Sequence, residues 1–116
     1  MPATILLKRS NESPARGDGK RILVDRLWPR GKTRESLKLD LWLRDIAPST
    51  ALRQWFGHDP AKWNEFRTRF FVELKNNPEP VATLRRLVAS GTVTLVFAAR
   101  DIEHNNAVAI REYMLR

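Results

Sequence analysis

Two short runs of apolar, largely β-branched residues, each ending abruptly in an Arg/Asp pair, constrain this chain more than any other feature. Ile22-Leu23-Val24 runs straight into Asp25-Arg26, after which Pro29 and Gly31 interrupt regular structure. Thr92-Val93-Thr94-Leu95-Val96-Phe97-Ala98-Ala99 runs into Arg100-Asp101. Runs of this kind suit strands covered on both faces. A helical pattern before 92–98 and another after it are what crossover helices of a parallel sheet look like. The expected fold class is therefore α/β: a single compact domain over residues 1–116, with a small, mostly parallel sheet flanked by helices. Ligands of such sheets sit beyond the carboxyl ends of the strands. Both charged pairs fall at that position.

The remaining elements follow from local pattern. Thr4–Lys8 reads as a strand, and Ser10–Gly19, rich in Asn, Ser, Pro, Gly and Asp, as a loop. Leu27–Arg34 is a loop with a basic cluster. Leu37, Leu39, Leu41 and Leu43 alternate with Lys38, Asp40, Trp42 and Arg44, the period of an edge strand, although Leu39, Leu43 and Ile46 also match helical spacing. Pro48-Ser49 opens a helix that Gly57 stops. Asp59-Pro60 opens the next, with Trp63, Phe66, Phe70 and Leu74 on one face. A helix over 79–89 buries Val81, Leu84, Leu87 and Val88. A last helix over 103–115 turns Ala107, Val108, Ile110 and Met114 inward.

Bulk composition narrows the function classes. With 42% hydrophobic residues and four Trp the chain has material for a core. Zero Cys excludes disulfides, thiolate metal sites and a cysteine nucleophile. No signal-peptide apolar region opens the chain, and no apolar run approaches the ~20 residues of a membrane span. The expectation is a soluble, cytoplasmic protein with no membrane partner. The net charge of +8 is uneven: residues 1–34 hold nine Lys or Arg against three acids. A one-sided positive field favours anionic partners, whether a small molecule or nucleic acid.

Arg26, Arg30 and Arg100 are the candidate anion ligands, because a guanidinium fork matches phosphate and carboxylate oxygens. Asp25 and Asp101 are candidates for general acid/base work. The few acids near them, with Arg as competitors, argue against a metal site, and no cofactor is implied. The plainer alternative is a cross-bridge in which Arg26 pairs with Asp101 and Arg100 with Asp25. Asp101 also suits the cap of the last helix. That would place His104 in its first turn, where the macrodipole favours neutral imidazole, a group fit for proton transfer. Asn105 and Asn106 lower helix propensity there, so a side-chain contact is expected to compensate. His58 reads as turn support. Trp55 and Trp63 read as core, which leaves Trp28 and Trp42 as the surface aromatics able to stack a base.

Several strings in order, Leu23-Val24-Asp25-Arg26-Leu27-Trp28-Pro29-Arg30-Gly31, Leu39-Asp40-Leu41-Trp42-Leu43, Ala47-Pro48-Ser49, Trp55-Phe56-Gly57-His58 and Ala98-Ala99-Arg100-Asp101 with Glu103-His104-Asn105-Asn106-Ala107, carry a resemblance. Across about residues 4–115 the chain closely resembles the YeaO-like branch of the domain-of-unknown-function family numbered 488. The resemblance implies a compact α/β domain and names no reaction. The wider family resembles the chain at both strand ends, with a Val-Asp-Val-Arg type end to the early strand and a Cys-His-Arg type start to the last helix. Asn105, Asn106 and Ala107 stand at the latter positions here, so the resemblance transfers the Asp25/Arg26 end and no thiol chemistry. The functional expectation is a domain that binds or processes an anionic ligand, phosphate or nucleotide, with Arg26, Arg30 and Arg100 on the anion; whether it is an enzyme is left open. Asp25, Asp101 and His104 would orient the ligand or move protons, and Asn105, Asn106 and Trp28 would complete the site. The alternative is a nucleic-acid-binding module using the basic N-terminal third.

Overall fold

The sheet has four strands, all parallel, in the order β1-β4-β2-β3, in a computed structural model that describes residues 4–116. The strands are β1 (Ile5–Arg9), β2 (Lys20–Leu23), β3 (Leu41–Trp42) and β4 (Val93–Phe97). Helices α1 (Arg34–Leu37), α2 (Thr50–Phe56), α3 (Trp63–Lys75), α4 (Pro78–Ala89) and α5 (Asn106–Met114) complete the fold. The Cα radius of gyration is 13.4 Å, close to the roughly 13 Å of one globular unit of this length. No described helix is long and apolar enough to cross a membrane.

β4 sits in the middle and every one of its five residues is buried. The period of two divides it. Val93, Leu95 and Phe97 join Ile22 and Val24 in the main core, with Phe66, Phe70 and Leu74 of α3, Leu84 of α4 and Ile110 of α5. Leu23, Thr94 and Val96 point to the other face and are equally buried. Burial on both faces is why these strands read as unbroken apolar runs. Trp55 and Trp63 pack against the core as partly buried side chains. At the start of β2 the chain turns through Gly19 at φ +64°, where a Cβ would lie 2.1 Å from the Thr92 carbonyl oxygen. Only glycine fits there.

Two expectations are corrected. The Leu-rich stretch 37–44 is not one edge strand. Thr33 caps the single turn α1, Leu37 ends it fully buried, and Lys38 takes the left-handed conformation at φ +46°. The chain then re-enters the sheet, with the Asp40 N–H donating to the Arg21 carbonyl and only Leu41–Trp42 forming β3. Alternation predicts a strand but cannot register a left-handed break inside it. The last helix starts at Asn106, not near 103. Asn105 is its cap, accepting from the Val108 N–H at 3.0 Å. Asp101 caps the preceding turn instead, accepting from the N–H groups of Glu103 and His104. His104 therefore lies ahead of α5, outside the first turn, and the macrodipole argument for it does not apply.

Candidate functional site

β2 is prolonged by Val24, whose N–H donates to the Val96 carbonyl at 3.1 Å, and ends at Asp25. There the sheet edge opens into a cleft of about 620 Å³. Asp25 is its structural knot. Its Oδ2 accepts from the Ala98 N–H at 2.8 Å, at the end of β4. Its Oδ1 accepts from Asn106 Nδ2 at 3.1 Å, at the start of α5, and the same amide donates to the Val24 carbonyl at 2.8 Å. Its backbone carbonyl accepts from Trp42 Nε1 at 2.7 Å. One aspartate thus ties together two strand ends, a helix start and β3.

Burial raises the Asp25 carboxyl above the ordinary carboxylate value. The hydrogen bonds from Ala98 and Asn106, and the charges of Arg53 and His58, pull the other way without cancelling the shift. Asp101 shows the opposite behaviour. Hydrogen bonds from the Glu103 N–H and from His104 hold its carboxyl below the usual value. Its Oδ2 lies 2.9 Å from His104 Nδ1, and the His104 ring packs edge-on against Trp63 at 5.4 Å. The pair therefore fixes the imidazole with Nε2 as its remaining nitrogen.

All nine sequence-predicted residues, Asp25, Arg26, Trp28, Arg30, Arg100, Asp101, His104, Asn105 and Asn106, line this cleft. They do so in different ways. Arg26 is turned into the protein, donating to the carbonyl oxygens of Ala47 at 3.2 Å and Pro48 at 3.4 Å. It fastens the 47–48 turn to the strand end. Arg30 and Arg100 are exposed and, among the described residues, bond to nothing. The cross-bridge of Arg26 with Asp101 and Arg100 with Asp25 is not formed, since no ion pair joins any of these four among the described residues. Trp28 is half-buried, donates through Nε1 to the Lys32 carbonyl at 2.7 Å, and packs edge-on against Trp42 at 5.3 Å. Trp42 lies outside the cleft, with the Arg44 guanidinium 4.9 Å above its ring. It braces the loop, with its Nε1 on the Asp25 carbonyl and Arg44 over its ring. No cluster of three or more His, Asp or Glu side chains among the described residues is arranged to hold a metal ion.

The cleft also contains residues to which sequence reasoning gave no part in a site, His58 among them, read there as turn support. Arg53 and Phe56 come from α2, His58 from the turn after it, and Phe66 from α3. Arg53 is exposed and without a partner among the described residues. His58 follows Gly57 in the left-handed conformation, at φ +57°. The sequence marks the end of α2 clearly at Gly57, yet it carries no sign that this end faces the strand ends.

The basic N-terminal third has a different fate from the one its composition suggests. Asp18 is buried and receives Lys8 Nζ at 2.9 Å, Arg21 NH1 at 2.7 Å and the Ala15 N–H at 3.0 Å. Arg21 Nε also donates to the Leu37 carbonyl at 2.8 Å. Burial pushes the Asp18 carboxyl up, but the hydrogen bonds from Lys8, Ala15 and Arg21 outweigh it and the net shift is downward. Arg9 Nε donates to the Ala99 carbonyl at 3.0 Å.

Comparison with known proteins shows the family of the chain. Residues 4–116 match the family described as the inactive DUF488-N3 subclade. An uncharacterized protein of Mycobacterium tuberculosis is 36% identical over 97 residues, covering 84% of this chain and 81% of its own. A Mycobacterium bovis protein matches to the same extent. Uncharacterized protein YeaO of Escherichia coli is 34% identical over 110 residues, covering 95% of this chain and 96% of its own. No solved structure matches the chain. With the match running from the first described residue to the last, through both strand ends that build the cleft, the chain belongs to the YeaO-like DUF488 proteins, within their inactive N3 subclade.

Proposed function

We propose that the cleft beyond β2 and β4 binds an anionic small molecule, a phosphate compound or nucleotide, and holds it without turning it over. The observation that carries this reading is the set Arg30, Arg53 and Arg100. All three are exposed on the wall of one cleft and have no carboxylate partner among the described residues. Unpaired guanidinium groups around a concave, partly apolar surface are suited to anion recognition. Asp25 and the Asp101–His104 pair then orient the ligand, with the amides of Asn105 and Asn106 fixing the strand ends around it. The subclade's description as inactive supports binding without turnover, and a chain with no Cys offers no thiol nucleophile.

Binding of nucleic acid by the N-terminal third is the weaker reading. Lys8 and Arg21 already neutralise Asp18 inside the protein, and Arg9 donates to a backbone carbonyl. Lys8 and Arg21 are thereby largely committed inside the protein and Arg9 has one donor engaged, which weakens their part in neutralising phosphates, the main source of non-specific affinity.

Isothermal titration of the whole chain against a panel of nucleoside monophosphates, sugar phosphates and inorganic phosphate tests the proposal. Saturable binding is expected, weakened about tenfold or more by Arg53→Ala or Arg100→Ala, the scale of one charge-assisted hydrogen bond. No binding across the panel, or binding indifferent to both substitutions, overturns it.

A further inference from the structure

Resting on that reading, the charge layout of the cleft defines its ligand more narrowly. Asp25 lies deep, held by donors from Ala98 and Asn106. Arg53 and His58 are the basic side chains set across the cleft from it. Neither closes on it, for no nitrogen of Arg53 or His58 comes within 4.0 Å of its carboxylate. A half-buried carboxylate with basic side chains set back across a gap has acceptor capacity left over, since each oxygen accepts one of the two or more bonds it can take. It also repels any anion brought against it, so a ligand's anionic group must lie on the Arg side.

We infer that the ligand is amphoteric in layout: a phosphate ester whose phosphate meets Arg53 and the neighbouring rim arginines, and whose hydroxyl or amine donates to Asp25. Phe56, Phe66 and Pro48 give the same cleft an apolar wall. A flat, partly apolar body fits such a wall better than an open-chain polyol does. A nucleoside 5′-monophosphate is the simplest molecule with all three parts. A volume of about 620 Å³ lies within the roughly 300–1,000 Å³ of small-molecule sites. Asp25 is thus the specificity-determining residue, and the arginines supply affinity common to all phosphates.

The test compares adenosine, guanosine, cytidine and uridine 5′-monophosphates with phenyl phosphate. Phenyl phosphate keeps the charge and a flat body but has no donor when fully ionised. Titrations at about pH 8 on the native chain, Asp25→Asn and Arg53→Ala separate the contributions. At least one nucleotide is expected to bind about tenfold more tightly than phenyl phosphate, the scale of a hydrogen bond to a charged group. Asp25→Asn should collapse that ratio toward one while phenyl phosphate binding persists. Arg53→Ala should weaken both ligands alike and preserve the ratio. A thermal melt of each variant checks folding. Should Asp25→Asn unfold, Asn106→Ala, which frees the carboxylate from one donor, must alter the same ratio. Equal affinity for nucleotides and phenyl phosphate, or a ratio indifferent to Asp25 and Asn106, overturns the inference while leaving phosphate binding intact. Absence of binding by every phosphate overturns both.

Discussion

Two aspartates seven residues apart, Asp18 and Asp25, flank the same strand and meet opposite fates. Asp18 is buried and saturated. Lys8, Arg21 and the Ala15 N–H converge on its carboxylate, while its carbonyl accepts from Thr94 Oγ1 at 2.7 Å. Asp25 is also sunk in the protein, but its cations stand back across a cleft and only two neutral donors reach it. The carboxyl of Asp18 is shifted down and that of Asp25 up. The same residue type, with Arg nearby in both cases, is therefore a saturated ion-paired joint in one place and a joint with acceptor capacity to spare in the other. Distance to the cations decides which, because the favourable interaction with a paired charge falls away faster than the cost of removing the carboxylate from water.

The comparison breaks most visibly through stability. Asp18→Asn should cost about 3 kcal/mol, since it leaves the buried Arg21 guanidinium, already with one orphan nitrogen, without its ion partner. Asp25→Asn should change stability by no more than about 1 kcal/mol, because losing a hydrogen bond is offset by removing a poorly solvated charge. Urea unfolding at neutral pH measures both, and equal losses would end the distinction.

Acid titration of stability sharpens it. The folded value of Asp18 lies below the ordinary 3.8, so its contribution is fully present above about pH 4 and is lost as pH falls through the folded value. Asp25 has the opposite sign. Its raised folded value means that the charged form opposes folding at neutral pH, and that this cost is relieved as pH falls through the folded value and is gone below 3.8. The deficit of Asp18→Asn relative to the native chain should shrink in acid below about pH 4. The difference for Asp25→Asn should change earlier, at higher pH, and in the sense that favours the native chain. Parallel profiles would mean that the two carboxylates share one environment.

Smaller effects concern the elements that hold the cleft open. Arg53→Ala should leave stability within about 0.5 kcal/mol, as expected for an exposed side chain without partners, while reducing phosphate affinity about tenfold. Trp42→Phe removes the donor to the Asp25 carbonyl and should cost about 1 kcal/mol. Arg26→Ala should resemble Trp42→Phe more than Arg53→Ala, lowering stability through the lost Ala47 and Pro48 contacts. If Arg26→Ala instead abolishes ligand binding at unchanged stability, Arg26 belongs with the rim arginines and the division drawn here is wrong.

Much of the fold was legible because its signals are local. An unbroken apolar run marks a strand buried on both faces, and Val93–Phe97 is one. Phe66, Phe70 and Leu74 share a helix face because 3.6 residues make a turn, and all three are buried. Gly57 and Asp59-Pro60 bound their turns by backbone chemistry that needs no neighbour. Less was legible where a single residue overrides a pattern. Lys38 in the left-handed region splits the Leu alternation, and Asn105 takes the cap from Asp101.

The sequence by itself determined that two strands end in Asp and Arg, and that a parallel sheet sets such ends at one edge. Only the tertiary structure decided which charges meet. Asp18 finds Lys8 ten residues earlier and Arg21 three later, Arg26 folds back onto backbone carbonyls, and Arg53 arrives from α2 to face Asp25 across open space. Side-chain pairing depends on separations of a few ångströms between elements distant in the chain. Local propensity carries no information about that spacing, and packing sets it.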